Sequence, residues 1–453
     1  MTDREDLPEG HVMDPTFEVI LTDARIRLVA GLADRFGVQV YLVGGCLRDV
    51  VMSRPVHDFD FALSGADKAL PAELARCIGG HFFWLDRERR QSRVVTGSGP
   101  EAFTFDFSPI RGDGILEDLA LRDFTVNALG LEVTSESADV LDPLSGRQDI
   151  ARQRIRACGP NTFDDDPLRL LRAVRFAATL DFAIDDDTWR ELRQRCHLLE
   201  RVAGERLRDE LFGILGARNA AKYLAMLLDA GLFPRIAPGL FESATTFCEP
   251  AERLAFVAEV ERVLDGLQGL FPDEREPFAA HLERSVEGGI PLLSLVKLAA
   301  LLSGENARKH IRDCADRIRL GTKARAELAS LCDCLVAFPS LPEGTLGERV
   351  LYRFFRDREP GGPELVILPL AARTVNHGTA ASLVSYYFRD YRAGDADLLL
   401  SGDQVMELLG IGPGPRLGEV LETLREAEST GRVTTEREAR EFILKNQLTT
   451  AGR

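Results

Sequence analysis

A chain of 453 residues exceeds the usual size of a single hydrophobic core and predicts about two to four domains. Its apolar fraction of 45% suits a globular protein, no apolar run approaches the roughly 18 residues of a membrane span, and the acidic start "MTDREDLPEG" lacks the regions of a signal peptide, so a cytoplasmic protein without membrane association is expected. A net charge of −16 argues against a passive nucleic-acid coat, and any nucleic-acid partner would need a local basic face.

The first third alternates apolar β-type runs with turn signals: "VQVYLVGG", "HDFDFAL", "HFFWL", "SRVVTG" and "AFTFDFSPI" read as strands. Residues 41–65 predict strand, Gly-Gly turn, the helix "CLRDVVM" and a second strand. Gly44 and Gly45 would let backbone N–H groups approach an anion at the helix start, with Arg48 one turn on to pair with phosphate. On the second strand Asp58 and Asp60 face the same way, about 7 Å apart at Cα. Neighbouring carboxylates repel unless a cation lies between them, and hard oxygen ligands suit magnesium. Asp106, in a strand of otherwise aromatic character, is a candidate third acid of the site. His57 reads as a plain strand residue, and the basic run in "WLDRERRQSRVV" as either a solvated hairpin or a loop over the nucleotide or RNA end.

From about residue 164 the period becomes helical and stays so, through "DDPLRLLRAVRFAATL", "GERLRDELFGIL", "AKYLAMLLDAGL" and "LLSLVKLAALL". The fold class expected is α+β: a head with a small mixed or antiparallel sheet, then an all-helical neck, body and tail. The boundaries read as 1–155, 156–240, 241–385 and 386–453, with breaks near "FPRIAPGL", "FPSLPEGTLG" and "REPGGPE". Asp166, Arg169, Arg172 and Arg175 recur at intervals of three and form a polar stripe, while Leu170, Leu171, Val174 and Ala178 take the opposite face. Eight cysteines without a Cys-x-x-Cys pair, including Cys332 and Cys334 in an apolar helical stretch, read as ordinary buried thiols.

The strings "GGCLRDVVMSRPVHDFDFAL", "DLALRDFTVNALGLEV", "LDPLSGRQDI", "DDPLRLLRAVRFAATLDFAID" and "GERLRDEL" resemble the successive motifs of the class II nucleotidyltransferases, which include bacterial tRNA nucleotidyltransferases and poly(A) polymerases. The resemblance spans residues 38–240, and 398–433 is similar to the tail domain of many tRNA nucleotidyltransferases. It implies template-independent addition of C, A or both to tRNA from CTP and ATP, with Asp58 and Asp60 holding Mg2+. It also implies base recognition by Asp166 and Arg169, with Arg172 and Arg175 reaching phosphate or orienting that pair, a phosphate contact by Arg122, a ribose contact by Asp123 and support from Asn127. Leu121 departs from the family's Arg-Arg-Asp. Ser303 and Gly304 stand where relatives with a phosphohydrolase domain have a His-Asp pair, so that activity is not expected. The alternatives are a poly(A) polymerase, against which the absence of a Gly-Arg/Lys-Arg-Phe segment speaks, and a non-catalytic RNA-binding descendant, against which both aspartates speak. No feature calls for an obligatory protein partner.

Overall fold

The computed structural model describes residues 15–65, 68–97, 102–134, 139–240, 250–338, 341, 346–391 and 398–450. The acidic start and most of "FPSLPEGTLG" lie outside them. The chain divides into two compact units, one of residues 1–202 with 229–232 and one of 203–228 with 233–453.

The first unit is built on a seven-stranded sheet: β1 Val40–Val43, β2 Asp58–Leu63, β3 His81–Asp86, β4 Gln91–Thr96, β5 Phe103–Pro109, β6 Gly130–Glu132 and β7 Val140–Leu141. Its order is β3-β4-β5-β2-β1-β6-β7, with β2 and β5 parallel and every other pair antiparallel. The sheet is therefore mixed, and five of its strands coincide with the apolar runs of the sequence. Alternation along β2 and β5 puts Phe59, Phe61, Phe105 and Phe107 on one buried face, where Phe61 stacks on Phe107 with ring centroids 5.0 Å apart. The opposite face carries Asp58, Asp60 and Asp106. Toward β1 it is closed by a cluster of Tyr41, Val43, Ala62, Leu119 and Ala128. The same unit contains a second, two-stranded parallel sheet of β8 Arg154–Ile155 and β9 Ala183–Ile184, and the helix Arg169–Leu180. That helix buries Leu170, Leu171, Val174 and Ala178, as its period predicts.

In the second unit the regular elements among the described residues are helices, with an isolated antiparallel bridge between Ser285 and Pro291. The helix Leu292–Leu302 is buried at every residue but the half-buried Leu293. At its C-terminal end the buried guanidinium of Arg253 donates to the Leu301 and Ser303 carbonyls at 2.9 and 2.6 Å, satisfying two of the acceptors a helix end leaves open. Cys314, Cys332 and Cys334 are buried in this unit, and burial pushes each thiol up to about 12.

Candidate active site

Gly44 ends β1 and opens the helix Gly45–Val51 with φ 83° and ψ −143°, a conformation that a side chain would strain. A Cβ there would lie 3.0 Å from Asp60 Oδ2 and 3.1 Å from Arg122 Nη1, so the missing side chain is what brings carboxylate and guanidinium against the turn. The Gly44 N–H donates to the Leu129 carbonyl at 3.3 Å. Gly45 lies over Arg48, whose Nη2 would be 3.3 Å from a Cβ at that position.

Asp60 pairs in register with Val43 on β1 and with Asp106 on β5, and Asp58 pairs with Thr104. Asp58 is exposed and Asp60 partly so. Burial, joined by the charges of Asp106 and Asp58, pushes the Asp60 carboxyl up to about 6 against the pull of Arg122 and Arg172. Asp106 stands beside Asp60, yet both its oxygens accept hydrogen bonds from Arg93, Nε and Nη2 each at 2.7 Å. The strand face thus presents the Asp58 and Asp60 carboxylates together and commits the third acid to a guanidinium.

Arg172, whose charge pulls on Asp60, belongs to a partly buried ionic network. Arg48 donates through Nε and Nη2 to Asp49 at 3.0 and 2.9 Å and through Nη1 to Asn127 Oδ1 at 2.7 Å. Asn127 passes a hydrogen bond to Asp123 Oδ1 at 3.1 Å, which also accepts the Phe124 N–H at 2.8 Å. Asp123 Oδ2 accepts from Arg172 Nε and Nη2 at 3.0 and 2.7 Å. Burial alone would raise this carboxyl; the Arg172 charge and these hydrogen bonds outweigh it and hold Asp123 at about 2.

Arg48 spends three of its five donors inside the protein, bracing Asn127 and its own helix. Asp123 accepts four hydrogen bonds from protein groups and anchors Arg172 and Asn127. Within the polar stripe, Arg172 is paired with Asp123.

Arg122 donates to Asp118 Oδ2 at 3.3 and 3.2 Å, and Asp118 also accepts from Arg111 Nε at 2.7 Å. Arg169 donates to the carbonyls of Thr162 and Leu121 at 3.2 and 2.8 Å. Position 121 therefore serves through its backbone, a role independent of the side chain that departs from the family pattern. Asp166 Oδ1 caps the following turn by accepting the Leu168 N–H at 3.1 Å. The guanidinium of Arg175 lies 4.0 Å from the ring centre of Phe176, and those of Arg172 and Arg48 lie at 5.2 and 5.5 Å.

Asp49, Arg93, Asp118 and Phe176 also belong to this constellation, Arg93 from within the basic run "WLDRERRQSRVV" and the other three with no role in the sequence reading. Two left a signal: Asp118 precedes Arg122 by four residues, and Phe176 follows Arg172 by four, the spacing at which helical neighbours meet.

Residues 40–156 match the family described as "Poly A polymerase head domain", and residues 181–243 match "Probable RNA and SrmB- binding site of polymerase A". A CC-adding tRNA nucleotidyltransferase of Geobacter sulfurreducens is 40% identical over 93% of this chain and 95% of its own. An A-adding tRNA nucleotidyltransferase of Deinococcus radiodurans is 30% identical over 89% and 94%. Among solved structures, a CCA-adding enzyme in complex with ATP superposes with TM-score 0.67 at 22% identity, covering 96% of this chain and 99% of that one. The Thermotoga maritima CCA-adding enzyme complexed with tRNA gives 0.59 at 23%, covering 96% of each; both show a shared fold. On these likenesses the chain belongs to the class II nucleotidyltransferases, in their tRNA nucleotidyltransferase branch.

Proposed function

We propose that the protein extends the 3′ end of tRNA in the cytoplasm, without a nucleic-acid template, by transferring nucleotides from CTP, and that its product is the CC end. The observation that carries the reading is the face of β2, where Asp58 and Asp60 stand on one side of a strand against the bare Gly44 turn and Arg122. The choice of CC over A or the full CCA is supported by the higher identity to the CC-adding relative of Geobacter sulfurreducens, 40% against 30% for the A-adding relative of Deinococcus radiodurans.

The donor set fits a hard divalent cation. Two carboxylates share a face, and Asp60 is pushed up by burial and like charge, a tension that a cation relieves. Among the described residues no group of three or more His, Cys, Asp or Glu side chains is placed to hold a metal. Magnesium is the ion that needs only one or two protein carboxylates, taking its other ligands from water and substrate phosphate. Held by Asp58 and Asp60, it would stabilise negative charge on the triphosphate and make the RNA 3′-hydroxyl a better nucleophile.

The chain's own groups do the positioning. Arg122, fixed by Asp118, holds positive charge next to the Gly44 turn for the triphosphate. Asp123 and Arg48 keep Arg172 and Asn127 in place around the nucleotide. Asp166 and Arg169 begin the helix that faces the base, where an acid accepts from the amino group of cytosine or adenine and a guanidinium donates to a ring nitrogen or carbonyl.

The test uses transcripts ending before the first C, after one C and after CC, with CTP and ATP supplied separately. CC addition expects cytidine on the first two and no adenosine on the third; adenosine on the third would reassign the specificity. Asp58→Ala should abolish all incorporation while RNA binding stays within a few-fold.

A further inference from the structure

The catalytic face does not stop at the carboxylates. Register carries it sideways across four strands: Asp60 on β2 lies beside Asp106 on β5, Asp106 beside Arg93 on β4, and Arg93 beside Phe83 on β3. Residues paired across strands project to the same side of a sheet, so Phe83, Arg93, Asp106 and Asp60 form one row. In the parallel row, Asp58 continues through Thr104 and Val95 to His81. Toward β1 this face is covered by an apolar cluster; toward β3 it opens.

β3 is the edge strand, and an edge is usually blunted by charge. Here it exposes an aromatic ring and an aliphatic side chain: Phe83 is 43% and Leu85 48% accessible, while Phe82 and Trp84 pack edge-on against each other and are more covered. Past the strand, the hairpin tip presents the exposed Arg87, Arg89 and Arg90. The Asp86 carboxylate accepts the Glu88 and Arg89 N–H groups at 2.9 and 3.0 Å and lies 3.7 Å from Arg89 Nε, so it shapes the tip and, with the exposed Glu88, offsets part of its charge while leaving positive charge in excess. An aromatic surface beside guanidinium groups is the arrangement that binds single-stranded nucleic acid without reading its sequence: bases stack and cations follow the backbone.

We propose that β3 and the β3–β4 hairpin form the platform for the single-stranded acceptor end of the RNA, with a base stacked on Phe83, Leu85 extending the surface and the hairpin arginines along the phosphates. The inference rests on the reading of Asp58 and Asp60 as the catalytic pair. Strands lie about 4.8 Å apart, so Phe83 stands roughly 14 Å from Asp60. That distance assigns the ring to a nucleotide upstream of the reacting 3′ end. It also gives the basic run of the hairpin a role in an acidic protein, as a local positive surface at the edge of the catalytic face.

The experiment is steady-state extension of an acceptor RNA by CTP, with parent, Phe83→Ala, Phe83→Trp and Leu85→Glu. Phe83→Ala should raise KM for RNA on the order of tenfold, the loss of one stacked base, with KM for CTP unchanged. Phe83→Trp should restore it, and Leu85→Glu should impair RNA use through like charge. An RNA carrying an abasic residue two or three nucleotides from its end should make parent and Phe83→Ala alike. The proposal is overturned by a Phe83→Ala variant with parent KM for RNA, by one that changes KM for CTP instead, by equal impairment of the Trp and Ala variants, or by a change in oligomeric state with RNA use intact. A parent that extends no RNA overturns it together with the functional reading beneath it, whereas failure of Phe83 alone leaves that reading standing.

Discussion

Asp60 is a carboxyl held in a place that disfavours its charge, and the consequence can be measured without any substrate. With Asp106 and Asp58 beside it and Arg122 and Arg172 opposing them, it titrates at about 6, above the roughly 3.9 of an unfolded aspartate. The folded protein binds this proton more tightly than the unfolded chain does. The resulting stability is complete below about pH 4 and is lost as pH rises through about 6. In chelator at pH 7.5, Asp60→Asn should therefore be more stable than the parent by roughly 2–3 kcal/mol, and the gap should close by pH 4. Thermal melts at both pH values check this, and a gap independent of pH would remove the electrostatic account. At the other end of the site, Asp166→Ala and Arg169→Ala should erode the preference for CTP over UTP and GTP by about 1–3 kcal/mol each. Arg122→Ala, acting on phosphate, should slow all nucleotides alike. Incorporation efficiencies for all four nucleotides decide it: a uniform loss in the first two variants would reduce the stripe to an anion site.

At the scale of elements, the unit of β1, turn, short helix and β2 was legible because each part has a local cause: an apolar run, a glycine pair, a helical run of seven residues and an alternating strand. β6 and β7 were not, since strands of 3 and 2 residues hold no period to detect. The partners of the site were hidden for a related reason. Arg93 meets Asp106 only through the β4–β5 register, and Asp123 meets Arg172 across 49 residues of sequence, so spacing along the chain carries no trace of either pair. The Gly-Gly turn shows how a right position can have a different reason, because Gly44 is required by the side chains that crowd it. Two substitutions separate strain from crowding. Gly37, at φ 64° with open space around it, should lose about 1 kcal/mol of stability as Ala and keep full activity. Gly44→Ala meets both a strained φ and the Asp60 and Arg122 side chains, and displacing those groups should cost incorporation on the order of a hundredfold. Melting curves beside rates decide: parallel losses in the two variants would mean that crowding at Gly44 contributes nothing.

Over the whole molecule, each of the two units buries an ionic cluster, and their charge balance differs. In the first, Asp123 faces Arg172 and its carboxyl is held at about 2. In the second, Glu327 and Glu364, both fully buried, share His281 and Arg284. Glu364 accepts the Gly362 N–H at 2.6 Å and lies 2.6 Å from His281 Nε2, while Arg284 Nη2 is 3.4 Å from Glu327 and 3.6 Å from Glu364. His281 and Gly362 serve Glu364 first, so the cluster settles with that acid ionised and its neighbour protonated. Burial, then the adjacent Glu364, pushes Glu327 up to about 9 against the weaker pull of Arg284. The sign is that of a raised carboxyl. Stability is greatest below the unfolded value near 4.3 and declines as pH rises through about 9, because unfolding releases a proton the folded state retains. Glu327→Gln keeps the shape of the protonated acid and removes its titration. The variant should match or exceed the parent in melting temperature near pH 9 and lose that advantage toward pH 5, while Glu364→Gln, which takes a charge from His281 and Arg284, should be destabilised throughout. A melting series from pH 5 to 9 tests the pair, and a Glu327→Gln variant weakened equally at every pH would show that Glu327 is ionised in the fold.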